Sequence, residues 1–145
     1  MLISSPEGVI KMELSNEQSI RSFAERYTAA WCSQDPASVA ACYDENGSLK
    51  VNEDAPAVGR KAITEVAQGF MTAFPDMQVI LDDVVLQDDG AIYHWTLIGT
   101  NNGPGGTGRR VRISGFEVWQ IGANGLIANS RGNFDTQEYG RQLGQ

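Results

Sequence analysis

The stretch Met77–Thr100, MQVILDDVVLQDDGAIYHWTLIGT, decides the architecture. Val, Ile and Leu crowd Met77–Leu86, Asp88-Asp89-Gly90 is a turn signal, and Ala91–Thr100 follows, so the two runs read as a β-hairpin. Downstream, Arg109–Ile121 reads as a third long strand, and Gly122-Ala123-Asn124-Gly125 turns the chain into a fourth, Leu126–Phe134. A meander of long antiparallel strands is expected. On its strands Tyr93, Trp95 and Leu97 alternate with Ile92 and Ile98, and Val111, Ile113, Trp119 and Ile121 alternate with Phe116 and Val118.

Upstream of the hairpin the period is near four. Ser15 and Gln18 stand at capping-box spacing, and Ile20, Phe23, Ala24, Tyr27 and Trp31 recur as a helical stripe, which predicts a helix over 16–33. Asp35-Pro36 supplies an N-cap and a first-turn proline for a short second helix through Val39, Ala40 and Tyr43, ended by Asn46-Gly47. Ser48–Val51 is a candidate short strand. Gly59 precedes a third helix with the stripe Ile63, Val66, Ala67, Phe70 and Phe74, closed by Pro75-Asp76. Asp135 and Glu138 then open a short terminal helix. Three helices, a meander and a short helix give an α+β domain: a curved antiparallel sheet with the helices on one face and a hollow between. Apolar side chains on both sheet faces call for a second cover, so a homodimer through the face away from the helices is expected, burying part of Trp95 or Trp119.

Composition narrows the class. The 145 residues carry 41% hydrophobic and 20% charged side chains, which fits one globular domain; residues 1–14 read as an N-terminal arm and 15–145 as the domain. The net charge of −7 opposes nucleic acid or an anionic membrane as partner. The N-terminal segment lacks the apolar run of a signal peptide and no stretch approaches a membrane span, so a cytoplasmic location is expected. Cys32 and Cys42 lack metal or disulfide spacing, and no metal or nucleotide cofactor is expected. The loop Gly99–Gly108 lacks the order of a phosphate-binding motif and reads as a flexible hairpin loop.

Several phrases, in their order and spacing, resemble the nuclear transport factor 2-like (cystatin-like) superfamily, especially its SnoaL-like polyketide cyclase branch. They are Gly59-Arg60-Lys61-Ala62-Ile63, Phe74-Pro75-Asp76, Trp95 through Gly99-Thr100, Ser114-Gly115-Phe116, and Phe134-Asp135 with Arg141-Gln142-Leu143-Gly144, spanning roughly Ser19 to Gly144. The resemblance implies a cone-shaped sheet around an apolar pocket, usually in a dimer. It also implies cofactor-free proton transfer on an apolar carbonyl compound, with Asp135 as acid/base. The histidine it implies in the preceding strand is absent from Arg109–Ile121.

Asp135 shares strand parity with Ile127, Asn129, Arg131 and Asn133, a largely polar stripe that would face a pocket, and it is also placed as a helix N-cap. His94, the single histidine, is the default proton carrier near neutrality. The expected catalytic set is therefore Asp135 with His94 or Asn133 as helper, and the expected pocket lining is Tyr27, Trp31, Phe70, Phe74, Phe116 and Arg131. Two other functions share this fold: a non-catalytic module binding a small hydrophobic molecule, and an epoxide hydrolase, for which Arg131 and Asp135 supply part of an Asp–Arg–Asp arrangement.

Overall fold

A computed structural model describes residues 6–145, with side chains from residue 16 on. Helix α1 runs Pro6–Cys32, so its backbone starts upstream of the Ser15–Gln18 box; residues 1–5 of the expected arm, and the Ser15 side chain, lie outside the described residues. α2 (Pro36–Ala40) is capped by Asp35, whose side chain accepts from Ala37 N, with proline in the first turn. Strand β1 spans Tyr43–Val51 and takes in Asn46-Gly47, the pair expected to end α2. The reason is an irregular register: β1 pairs with β6 at Tyr43↔Ile127 and again from Ser48↔Asn129, and the extra residues bulge out between. A two-residue β2 (Ala57–Val58) leads to Gly59, whose φ of 89° turns the chain into α3 (Arg60–Ala73).

The meander is as expected: β3 (Gln78–Gln87), β4 (Gly90–Thr100), β5 (Arg110–Ile121) and β6 (Ile127–Phe134), followed by α4 (Thr136–Gln142). The sheet order is β2-β1-β6-β5-β4-β3, antiparallel throughout except for the parallel β1–β6 pair. The Gly99–Gly108 loop is tied to the end of α3, since Gly103 N and Asn101 Nδ2 both donate to Ala73 O.

The inner sheet face packs on the helical stripes. Tyr27 is fully buried between Tyr93, Trp119 and Tyr43, meeting Trp119 edge to face at 5.1 Å, while Tyr93 and Trp119 stack at 4.8 Å. Ile63, Ala67, Met71 and Phe74 bring α3 into the same core. Trp95 and Trp119 both point inward with this core, because they share parity with Tyr93 and with Val111 and Ile113 respectively; the outer face carries Ile92, His94, Phe116 and Val118 instead.

Candidate functional site

The sheet register sets one inner row, Val51–Gly132–Glu117–Tyr93–Val84, beside a second, Phe134–Gly115–Trp95–Leu81. Where the two rows meet α1, α3 and α4 lies a cavity lined by Trp31, Phe70, Tyr93, Trp95, Phe134, Tyr139 and Glu117, with aliphatic floor from Leu49, Val51, Val79, Leu97 and Ile113. Two glycines make the space. Gly132 leaves the position opposite Glu117 bare, and Gly115 lets the Trp95 ring lie against the strand, since a Cβ there would come within 2.6 Å of Trp95 Cζ2. The cavity volume is about 60 Å³, room for roughly four to six waters at ~10–15 Å³ each.

Glu117 is the one carboxylate among the described lining residues, and it is only 8% exposed. Three donors converge on its Oε1: Tyr27 Oη at 2.8 Å, Ser130 Oγ at 2.8 Å and Trp119 Nε1 at 2.9 Å. Tyr27 has one hydrogen and gives it to Glu117, so Tyr43 Oη, 2.8 Å away, is the donor in the Tyr43–Tyr27 bond. A parallel chain runs from Tyr93 Oη to Thr28 Oγ1 at 2.6 Å; Thr28 spends its own hydrogen on Ala24 O, so Tyr93 donates. Oε2 of Glu117 has no partner among the described residues and is not among their sealed, unpaired polar atoms; it is the oxygen the cavity reaches.

Burial pushes the Glu117 carboxyl above its ordinary value, against the pull of the three donors, which favour the charged form. Because Oε1 is fully engaged, the proton of the neutral form sits on Oε2. Burial likewise raises Tyr27 and Tyr43 well above 10, with the Glu117 charge adding to the effect, so the phenols stay protonated donors. Trp95 Nε1 is a buried donor left without an acceptor, a state that costs free energy unless a partner arrives.

The residues singled out from the sequence divide between the two sides of the sheet. Trp31 and Phe70 line the cavity; Tyr27 lies beneath it as a donor to Glu117; Phe74 is fully buried against Gly99 and Tyr139 rather than in the lining. His94, Phe116, Arg131 and Asn133 occupy the outer face, where His94 and Phe116 meet at 6.2 Å. Asp135 is exposed and caps α4, accepting from Gln137 N at 3.0 Å and Glu138 N at 3.1 Å. Its β6 stripe faces away from the hollow, because the inner face of β6 belongs to Ser130, Gly132 and Phe134. None of His94, Asn133, Asp135, Phe116 and Arg131 lies in the lining. Glu117 carries a signal in the sequence nonetheless: it shares parity with Val111, Ile113, Trp119 and Ile121, an acid inside an apolar alternation.

A family model for SnoaL-like polyketide cyclases matches residues 21–143. Among curated proteins, none matches the sequence. TsrD from Streptomyces laurentii superposes with a TM-score of 0.76 at 25% identity, covering 88% of this chain and 96% of that one. A hypothetical protein of ketosteroid isomerase-like fold from Catenulispora acidiphila, in complex with trimethylamine, superposes at 0.75 with 13% identity, covering 84% and 92%. SalBIII, an epoxide hydrolase/cyclase-like enzyme in pyran ring formation of the polyether salinomycin, superposes at 0.72 with 19% identity over 84% and 95%.

Proposed function

The chain belongs to the SnoaL-like polyketide cyclase family, and from that premise we propose that it binds a small, mostly apolar carbonyl compound in its cavity and moves a proton on it through Glu117. The observation that carries this reading is the divided carboxylate: Oε1 held by Tyr27, Ser130 and Trp119, Oε2 open to the hollow. A base is most effective when its affinity for protons lies near the working pH, and burial moves Glu117 in that direction.

In the ionised state Oε2 takes a proton from the carbon next to the carbonyl, and the bond electrons pass to the carbonyl oxygen as an enolate. The enolate carbon then attacks a second carbonyl of the same molecule, whose oxygen takes the proton back from Oε2–H, or the enolate is reprotonated at another position by the same Oε2–H. Either path returns Glu117 to its starting charge. The donors on Oε1 keep the carboxylate from rotating, so the proton stays on the cavity side.

One fold hosts many chemistries, so the residues must discriminate among them. Epoxide hydrolysis through an Asp–Arg–Asp arrangement wants two carboxylates and an arginine around one water; the described lining offers Glu117 alone, with Arg131 and Asp135 exposed outside it. Binding without turnover is the second reading, favoured by a cavity wall that is apolar apart from Glu117. The trimethylamine complex of the Catenulispora neighbour supports a small-molecule occupant under both readings.

Exchange of α-protons into heavy water, followed by NMR over a panel of β-keto esters and small cyclic ketones, tests the proposal. Wild-type protein should exchange at least one panel member, and Glu117→Gln should lower that rate by ~10²–10⁴. An exchange rate untouched by Glu117→Gln overturns the assignment; bound ligand without exchange selects the binding module.

A further inference from the structure

The cavity holds an acidic group with no basic partner. Among the described residues the ion pairs are Arg21–Asp83 and Arg141–Glu138, both at the surface, and no Lys, Arg or His is in the lining. A buried carboxylate without a counter-charge is costly even when hydrogen-bonded, and the three donors on Oε1 leave Oε2 facing an apolar hollow.

The walls around that oxygen are aromatic. Trp31 and Phe70 stand at 76° with centroids 6.0 Å apart, Trp95 and Phe134 at 73° and 5.8 Å, and Phe134 and Tyr139 at 70° and 5.3 Å. Tyr93 completes the ring of six. Aromatic faces carry negative quadrupole potential and attract a cation within about 6 Å. A carboxylate set among aromatic rings thus complements a cation, and the aliphatic floor complements methyl groups. A neutral ligand gains apolar contact from the rings; a small organic cation gains in addition the attraction of the ring quadrupoles and of the Oε2 charge.

We propose that this cavity binds small alkylammonium ions, the methylated nitrogen held among Trp31, Trp95, Phe134 and Tyr139 with Glu117 Oε2 as its counter-ion. The room for roughly four to six waters suits a trimethylammonium head rather than a fused ring system. This binding requires no turnover, so it stands or falls separately from the proton-transfer reading.

Calorimetric titration of the whole chain with choline, against its neutral isostere 3,3-dimethylbutan-1-ol, tests it. The two differ in a nitrogen cation replaced by carbon. Wild-type protein should bind choline roughly tenfold or more tighter than the alcohol, and Glu117→Gln should retain the alcohol while losing most of that preference. Equal or tighter binding of the alcohol overturns the proposal, as does failure of both to bind at millimolar concentration. A preference undiminished in Glu117→Gln also overturns it. If that variant does not fold, the wild-type pair decides alone, with Trp31→Leu expected to weaken choline more than the alcohol.

Discussion

Tyr27 donates to Glu117 over 2.8 Å, joining the C-terminal part of the first helix to a strand residue ninety positions later. The bond fixes which oxygen of the carboxylate meets the cavity. Tyr27→Phe removes one of three donors from Oε1 and the acceptor of Tyr43 Oη. It should cost about 1–3 kcal/mol in urea denaturation and move the Glu117 titration upward, because fewer hydrogen bonds favour the charged form. Infrared carboxyl bands followed against pH check the second effect, which a purely structural role for Tyr27 would not produce.

The raised Glu117 titration also fixes a pH dependence of stability. In the unfolded chain the group titrates near its ordinary 4.5, whereas the folded protein holds the proton to higher pH. Between those two values the folded state binds more protons, so this contribution to stability falls as pH rises through the window and is flat above it. Glu117→Gln should abolish the fall. The difference in unfolding free energy between wild type and variant, measured from pH 4 upward, isolates it; a difference that stays constant or rises removes the buried acid as its source.

The two cavity glycines should respond oppositely to alanine. At Gly132 a Cβ would meet Glu117 Cγ at 3.4 Å and Lys50 O at 3.5 Å, ordinary contacts, so Gly132→Ala should fold and weaken ligand binding by filling space beside Glu117. At Gly115 the Cβ would clash with Trp95 Cζ2 and Asn133 O. Gly115→Ala should therefore destabilise by about 1–3 kcal/mol, read as a lower urea midpoint.

Asp135 divides stability from activity. Asp135→Asn should be nearly neutral, since asparagine caps as well, while Asp135→Ala should cost about 0.5–2 kcal/mol. Both variants should leave proton exchange and ligand affinity unchanged once folded; a loss of exchange in Asp135→Asn at full stability would return the proton-transfer role to this residue.

The outer sheet face presents Phe116, 37% exposed, with Ile92, His94 and Val118 around it. A homodimer through this face is our expectation, and Phe116→Asp should shift light scattering toward the 15.7 kDa monomer. A monomeric wild type at micromolar concentration removes the dimer.

The fold was legible because its punctuation is local. Asp35-Pro36, Gly59, Asp88-Asp89-Gly90 and Asp135 each act on residues one to four positions away, so helix and strand ends fall where those residues stand. The bulge that draws Asn46-Gly47 into β1 was hidden, since it depends on pairing with β6 some eighty residues on. The site was less legible. Asn129, Arg131, Asn133 and Asp135 look like a polar lining, yet a stripe seen in sequence does not say which side of the sheet the helices cover. Glu117 looks like a stray charge in an apolar alternation, and its three donors come from α1, β5 and β6, a convergence no local pattern contains.

The parallel pairing of β1 with β6 bears on how the chain is made. During synthesis β1 leaves the ribosome long before the strand that flanks it, and until β6 emerges the β1 edge offers unpaired backbone groups toward the solvent. Ser130, a donor to Glu117, arrives on that same late strand. Closure of the sheet and completion of the cavity thus wait on the same late strand, and its sequence separation from β1 makes both slow; a nascent chain halted before Ile127 should expose an aggregation-prone edge together with an unfinished site.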